Sequence, residues 1–107
     1  MKRGDIVTVS VKGDYGKPRP ALIIQSNLFP DHPSITILPI TGELRDVPLF
    51  RYTLFESKDN GLNNTSQVMV DKITTIKADK IGKTIGSLSQ QELTEITRLM
   101  ALWLGMA

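Results

Sequence analysis

Short segments in which apolar and polar residues alternate make up the first two-thirds of the chain. Residues 5–11 are mostly β-branched, and their alternation would place Val7 and Val9 on one face of a strand and Ile6 and Thr8 on the other. Residues 21–25 form a short apolar run, as in a strand buried on both faces. The same criteria predict strands at 34–40, 49–55 and 66–71, and a short strand at 73–76.

The pattern changes to a helical period after residue 88. The apolar positions then recur at the spacing of one helix face: Leu93, Ile96, Met100, Trp103 and Leu104. Ser89 and Glu92 have the spacing of a capping box, and Gly105 stands where a helix ends. Several strands followed by one helix predict a mainly β fold in a single domain over residues 1–107. We expect a small curved antiparallel sheet or SH3-like barrel with the C-terminal α-helix packed on it.

The composition limits the chemistry that the chain can perform. The sequence has no cysteine, which excludes a disulfide scaffold, a thiolate metal site and a cysteine nucleophile. Its single histidine, His32, excludes a multi-histidine metal site and a two-histidine acid–base pair. Neither kind of metal site is therefore available, and we expect no cofactor. The 13 Lys and Arg residues against 11 Asp and Glu residues give a net charge of +2, which does not by itself indicate a nucleic-acid partner.

The charge is less even at the start of the chain. Residues 1–20 hold five basic side chains against two acidic ones: Lys2, Arg3, Lys12, Lys17 and Arg19 against Asp5 and Asp14. This excess fits a small basic groove around Arg19 rather than a broad cationic face. The sequence has no secretory leader and no apolar run of the roughly 18 residues that a membrane helix needs, so we expect a cytoplasmic protein without membrane contact.

Arg19 is the first candidate for chemistry. It stands between Pro18 and Pro20, which stiffen the backbone, directly before the apolar run at 21–25. A guanidinium held in this way suits a phosphate and the extra negative charge of a phosphoryl transition state. A structural role, in an ion pair with a carboxylate such as Asp46 or Asp71, explains the residue equally well.

Three other polar residues are candidates that also have ordinary explanations. Thr41 precedes Gly42, so its hydroxyl could approach a phosphate closely, although Thr-Gly is also common turn chemistry. Asp71 ends an apolar strand, where it could act as a general base or bond the backbone of the next turn. His32 could be an acid–base group, but a solvated loop histidine is the simpler interpretation.

Two further patterns concern binding. Phe50 beside Arg51 is typical of surfaces that grip single-stranded nucleic acid by stacking, although core packing explains Phe50 more simply. Asn63 and Asn64 begin glycosylation acceptor patterns, and without a secretory leader we interpret them as ordinary polar loop residues.

The terminal helix carries more apolar surface than one core requires. The surplus lies in Leu99, Leu102 and Met106. Such a surplus indicates an interface between two copies of the chain.

Several of these segments together match a known pattern. They are residues 3–7 at the first strand, residues 16–25 with Arg19 between its two prolines, and residues 38–41, 61–62, 66–73 and 81–82. On these motifs the chain resembles, over nearly its whole length, the MazF/PemK (Kid) family of toxins of type II toxin–antitoxin systems. The resemblance implies the fold shared by CcdB-like and MazF-like toxins. It also implies a homodimer that cleaves single-stranded RNA, including mRNA, without metal, and that a cognate antitoxin restrains.

The resemblance assigns roles to single residues. Arg19 would stabilise the phosphorane and protonate the leaving 5′ oxygen, and Thr41 would position the scissile phosphate. Asp71 would take the proton from the 2′-hydroxyl, so that its attack gives a 2′,3′-cyclic phosphate. Four residues fall near positions that line the RNA groove: Lys17, Phe50, Thr65 and Gln67.

The chain departs from the family pattern in two places. Residues 12–15 lack the family's common serine–glutamate–glutamine stretch, and Met69 stands where the Kid branch has its second catalytic arginine. The Kid loop histidine has no counterpart, so Arg19 or His32 would have to supply the acid.

Two other functions compete with RNA cleavage. A CcdB-like poison of DNA gyrase acts by protein binding through a Trp-Gly-hydrophobic tail, which Trp103 and Gly105 match loosely. A barrel-shaped interaction module without activity is the third interpretation.

Overall fold

The computed structural model of the chain describes residues 1–10 and 17–107. Val11, the last residue of the first predicted strand, lies outside the described residues, as do residues 12–16 with the departure from the family loop. Within the described residues, the predicted order of strands followed by a terminal helix is confirmed.

Seven strands and one α-helix form the described part of the chain. The strands are β1 (Asp5–Val9), β2 (Arg19–Ile23), β3 (Ser34–Thr41), β4 (Arg51–Leu54), β5 (Ser66–Met69), β6 (Thr74–Lys77) and β7 (Ile81–Ser87). Two single-turn 3₁₀-helices, Val70–Lys72 and Ala78–Lys80, lie on either side of β6. The helix α1 spans Gln90–Trp103.

Strand β7 lies outside every segment that the alternation predicts, because glycines interrupt its pattern. A Cβ atom on Gly86 would lie 2.3 Å from the carbonyl carbon of Asn60, and one on Gly82 would lie 2.3 Å from the hydroxyl oxygen of Thr8. The backbone at Asn60 thus leaves no room for a side chain at Gly86, and a side chain at Gly82 would displace the Thr8 hydroxyl. The requirement is tertiary, and a local pattern does not reveal it.

The strands form one antiparallel sheet in the order β4-β5-β3-β2-β1-β7, and β6 also pairs with β3. Strands β5 and β6 share the β3 edge that faces away from β2. Ile40 of β3 pairs with Val68, and Ile37 of β3 pairs with Thr74. A step of three residues along β3 therefore corresponds to a step of six residues along the segment that pairs with it. The 3₁₀ turn Val70–Lys72 accommodates the three additional residues. The prediction that Asp71 ends a strand is therefore wrong: the structure places it in a 3₁₀ turn between β5 and β6.

Alternation along the strands divides the buried apolar residues between two faces of the sheet. The helix face, covered by α1, carries the larger cluster: Ile6, Leu22, Ile24, Leu38, Ile40, Leu54, Val68 and Val70, with Ile96 from the helix. The other face, called the cleft face below, carries Val7, Val9, Ala21, Ile23, Ile35 and Ile37. The predicted separation of Val7 and Val9 from Ile6 is confirmed.

Helix α1 begins as its sequence predicts. The Ser89 hydroxyl accepts a hydrogen bond from the Glu92 amide at 3.1 Å, and the Glu92 carboxylate accepts one from the Ser89 amide at 2.9 Å. Gly105 takes the left-handed backbone conformation, with φ of 73°, just after the helix. Tyr52 packs beneath the helix; burial raises the pKa of its hydroxyl, and the carboxylates of Glu92 and Glu95 raise it further.

The prediction that Leu99, Leu102 and Met106 form surplus apolar surface on the helix is wrong for Leu99. Leu99 packs against the helix-face cluster, so it belongs to the core rather than to a second surface. Leu102 and Met106 are exposed, with 48% and 77% of their surface accessible. Among the residues that the structure describes, no helix is both long and apolar enough to cross a membrane.

Candidate active site

The strand register brings four polar residues into one row across the cleft face. Thr41 on β3 pairs with Gln67 on β5, and Gln67 pairs with Thr53 on β4. The β2–β3 ladder ends at the pair of Ala21 and Pro39, and Arg19 and Thr41 each stand two residues beyond it on the two strands. Directly paired residues of antiparallel strands point to the same face, about 4.8 Å apart from strand to strand. The row therefore runs from Arg19 through Thr41 and Gln67 to Thr53.

A cleft of about 780 Å³ opens at the Arg19 end of this row. Arg19 and Thr41 both line it, so the structure brings together two of the three predicted catalytic residues. Pro20 and Pro39 form part of its floor and Met69 part of its wall. An apolar wall beside a cation lowers the local dielectric and strengthens the attraction of Arg19 for an anion.

Thr41 is held with its hydroxyl oriented by the following turn. Its Oγ1 accepts a hydrogen bond from the Glu43 amide at 3.1 Å. Because one lone pair is used in this bond, the hydroxyl proton remains available for donation to an anionic oxygen in the cleft. Gly42, between the two residues, is exposed and a Cβ atom there would meet nothing within 4 Å. The backbone at this end of β3 is thus open to a ligand.

Gln67 uses its whole side-chain amide within the protein. Its Oε1 accepts hydrogen bonds from the Arg45 amide and from Arg51 Nη1, each at 3.0 Å. Its Nε2 donates to the Arg45 carbonyl at 3.0 Å and to the Thr53 hydroxyl at 3.1 Å. With 6% of its surface exposed and all four hydrogen-bonding positions occupied, Gln67 fixes the loop after Thr41. Its predicted contact with RNA remains a prediction.

Arg51 completes this support from strand β4. Its Nη1 also donates to the Glu43 carbonyl at 2.8 Å. Thr41 therefore holds the amide of Glu43, while Arg51 holds the carbonyl of the same residue. The Arg51 Nε is buried without a hydrogen-bond partner among the described residues. Sequence reasoning missed this support because it depends on strand register, which local patterns leave open.

Asp71 lies beside the cleft but not in its lining. Met69 and Thr74, on either side of the 3₁₀ turn that carries Asp71, both line the cleft. The Asp71 side chain is 19% exposed, and Lys72 Nζ lies 3.9 Å from its Oδ2. Its Oδ1 is buried and has no hydrogen-bond partner in the described part of the chain. The structure thus brings Arg19 and Thr41 together in the cleft, whereas Asp71 lies outside its lining, between two residues that line it.

The other predicted RNA-binding residues are dispersed. Phe50 packs on Trp103 of α1, with ring centroids 5.7 Å apart and an angle of 51° between the planes. Thr65 donates its hydroxyl proton to the Glu56 carboxylate at 2.8 Å. The pKa of Glu56 is lowered by a hydrogen bond with its own backbone and, less strongly, by Thr65. Lys17 is exposed, two residues before Arg19.

His32 lies in a different cavity from Arg19. That cavity also contains Met100 and Leu104 of the C-terminal segment. The His32 Nδ1 accepts a hydrogen bond from the Ser34 amide at 3.0 Å, the geometry of a loop residue that stabilises its own turn. The simpler of the two interpretations of His32 therefore fits the structure.

Two cleft residues were interpreted from the sequence as ordinary loop residues. Asn63 and Asn64 are distant in sequence from Arg19 and Thr41, but they line the same cleft. Their position depends on the tertiary contact of Gly61 with Ile85, which no local sequence pattern reveals. Among the described residues, no group of three or more His, Cys, Asp or Glu side chains could hold a metal ion.

Known proteins are similar to this chain in sequence and in fold. A family described as PemK-like, MazF-like toxin of type II toxin-antitoxin system matches residues 2–104. The chain is 37% identical over 108 residues to a probable endoribonuclease MazF of Mycolicibacterium smegmatis, covering 100% of this chain and 99% of that protein.

Solved structures with less similar sequences have the same fold. An endoribonuclease in complex with its cognate antitoxin, from a mycobacterial species, superposes with a TM-score of 0.84 at 21% identity, covering 100% of this chain and 97% of that one. A MazE–MazF structure from Deinococcus radiodurans gives a TM-score of 0.82 at 20% identity, with the same coverage of 100% and 97%.

Proposed function

Since the chain belongs to the PemK-like, MazF-like toxins of type II toxin–antitoxin systems, we propose that it is a sequence-specific endoribonuclease that cleaves single-stranded RNA. The observation that carries this proposal is the cleft that Arg19 and Thr41 line together. A fixed cation and an oriented hydroxyl in one cavity are what a phosphoryl transition state requires.

Arg19 holds the reacting phosphate. The attack of a ribose 2′-oxygen on the adjacent phosphorus forms a pentacoordinate phosphorane that carries more negative charge than the starting diester. A planar guanidinium can donate two parallel hydrogen bonds to its oxygens, which stabilises the charge as it develops. The departing 5′ oxygen leaves from the position opposite the attacking 2′ oxygen and takes a proton from the Arg19 guanidinium, which gives the 5′-hydroxyl.

Thr41 orients the phosphate for this attack. Its hydroxyl proton, left available by the bond from the Glu43 amide, is donated to a non-bridging oxygen. Two donors from neighbouring strands fix the phosphate in one position, which lowers the entropic cost of the attack.

Asp71 is the proposed general base. It takes the proton from the 2′-hydroxyl, the oxygen–phosphorus bond to the 2′ oxygen forms, and the bond to the 5′ oxygen breaks. The products are a 2′,3′-cyclic phosphate and a 5′-hydroxyl, so neither water nor a metal ion is consumed in the step. Two observations support this role: Asp71 lies in the turn between cleft residues Met69 and Thr74, and its Oδ1 has no hydrogen-bond partner within the described part of the chain.

The partners follow from the family. We infer a homodimer, a cognate antitoxin that restrains it, and a cytoplasmic location where mRNA is the substrate. The solved relatives that contain an antitoxin support the second inference. Gyrase poisoning is not favoured, since the 37% identical relative is named an endoribonuclease and Trp103 packs on Phe50 within the fold.

A cleavage assay on single-stranded RNA tests the proposal. Arg19→Met should lower the rate of cleavage about 10²–10³-fold, because one preorganised donor to the transition state is lost. Arg45→Met is the matched control: Arg45 is exposed and paired with Glu43 at 2.6 Å outside the cleft, so its loss should change the rate little. Primer extension locates the cuts. Intact RNA together with gyrase trapped on DNA would contradict the proposal.

A further inference from the structure

The cleft has a polar wall that the proposed mechanism does not use. Asn63 and Asn64 are exposed residues at the cleft that Arg19 and Thr41 line. The Asn64 carbonyl accepts a hydrogen bond from the Ser66 hydroxyl at 2.9 Å, which fixes its backbone. Within residues 1–10 and 17–107, neither side-chain amide of the pair takes part in a hydrogen bond. Both amides therefore keep their donors and acceptors for a ligand.

The segment that carries these amides is anchored in the fold. Asn60 is 3% exposed; its Oδ1 accepts hydrogen bonds from the Ser57 and Leu62 amides, each at 3.0 Å. Its Nδ2 donates to the Phe55 carbonyl at 2.8 Å. The next residue, Gly61, has a φ of +68°, and a Cβ atom there would lie 1.9 Å from the Ile85 carbonyl oxygen. The backbone at Gly61, two residues before Asn63, therefore packs directly against β7.

An anchored segment with unused amides favours specific recognition of a ligand over nonspecific binding. Because the backbone is already ordered, little conformational entropy is lost when a ligand binds. A neutral amide adds little to the binding of a phosphate, which Arg19 already serves. It presents one donor and one acceptor side by side, and this pair matches the edge of a nucleobase, above all the N6 and N7 atoms of adenine. Bases of single-stranded RNA are unstacked and accessible on these edges.

We propose that Asn63 and Asn64 read one base of the RNA, an adenine next to the phosphate held by Arg19 and Thr41, and so determine part of the cleavage sequence. This inference rests on the proposed ribonuclease function. It assigns specificity to two residues and catalysis to others, so the two properties should separate in variants.

The experiment compares wild type, Asn63→Ala/Asn64→Ala and Gln91→Ala on RNA substrates in which each base around the cleavage site is varied in turn. Gln91 is an exposed amide on α1 and serves as the matched control. Wild type and the control should prefer adenine at one position by about ten- to a hundredfold in cleavage rate. The double variant should lose that preference and cut the other three sequences at nearly the wild-type rate for them. Thermal unfolding of each variant checks that the fold is intact.

A second arm measures binding without cleavage. RNA with a 2′-O-methyl group at the cleaved nucleotide lacks the attacking hydroxyl, and its affinity reports base recognition alone. The same loss of adenine preference in binding by the double variant supports the inference, even if no RNA were cut and the proposed function failed. A folded double variant that keeps the wild-type base preference, in cleavage or in binding, would overturn the inference and leave the ribonuclease function standing.

Discussion

At the scale of single residues, sequence reasoning identified the pair that the fold brings together. Arg19 was recognisable because its two prolines fix the backbone, and Thr41 because a glycine follows it. Their proximity could not be predicted from the residues alone, since it depends on the β2–β3 register. Asn63 and Asn64 escaped for the same reason: only tertiary contacts of the preceding Gly61 show which surface they join.

Asp71 offers the sharpest residue-scale prediction about mechanism. Asp71→Asn removes the proton acceptor while it keeps the size of the side chain, so the rate of single-turnover cleavage should fall about 10²-fold or more. Thermal stability should change little, because Oδ1 makes no hydrogen bond with any residue that the structure describes, and the substitution therefore breaks none of them. A variant that cleaves RNA at the wild-type rate would show that another group accepts the proton.

Gln67 should act through Thr41 rather than through RNA. Gln67→Met removes the four bonds that hold the loop after Thr41, so kcat should fall about tenfold while KM changes little, and stability should drop by about 1–3 kcal/mol. In a Thr41→Val background the same change should cost no further activity, because the oriented hydroxyl is already gone.

Thr53→Val is the control for this cycle. It removes one bond to Gln67 but leaves the loop contacts in place, so kcat should stay near wild type. Additive losses in the Gln67 and Thr41 double variant would contradict the positioning role and would favour direct contact of Gln67 with the substrate.

At the scale of elements, local sequence patterns predicted the strands and the helix in which each face of the element meets a single environment. The capping box at Ser89 and the apolar stripe through Ile96 specify α1 without tertiary information. Local patterns predicted neither strand β7 nor the 3₁₀ turn at Val70–Lys72. Strand β7 depends on close chain contacts at Gly82 and Gly86. The turn depends on three additional residues in the segment that pairs with β3.

Ile96 is the side chain of helix α1 that is fully buried against the sheet. Ile96→Ala should lower the free energy of unfolding by about 2–5 kcal/mol, since it leaves a cavity against the helix-face cluster. Gln91→Ala, at an exposed position of the same helix, should change it by less than about 0.5 kcal/mol. Chemical denaturation measures both. Equal effects would mean that helix propensity, not packing, holds α1.

At the scale of the whole molecule, the two faces of the sheet have different roles. The helix face is closed by α1, so it supplies stability, whereas the cleft face keeps a polar row and a cavity open at one end. The alternation in residues 5–11 predicted that Val7 and Val9 lie on the opposite face from Ile6, but not which face carries the cleft. The position of the cleft was not predictable, because it depends on how far β2, β3 and β5 extend beside one another.

The end of α1 should form the contact between two copies of the chain. Leu102, Trp103 and Met106 are 48%, 50% and 77% exposed. Leu102→Glu/Met106→Glu should therefore convert a dimer at micromolar concentration into an 11.9 kDa monomer in sedimentation equilibrium. Phe55→Glu, which changes an equally apolar and 73% exposed side chain after β4, should leave the dimer intact. A wild-type monomer would refute the prediction.

The end groups of cleaved RNA test the central claim most directly. Single-stranded RNA is incubated with the wild-type protein in excess EDTA, and the fragments are weighed by mass spectrometry. If Arg19, Thr41 and Asp71 promote attack by the 2′-hydroxyl, every cut leaves a 2′,3′-cyclic phosphate and a 5′-hydroxyl, and Arg19→Met removes the fragments. Fragments with a 5′-phosphate, or cleavage that EDTA abolishes, would contradict the account.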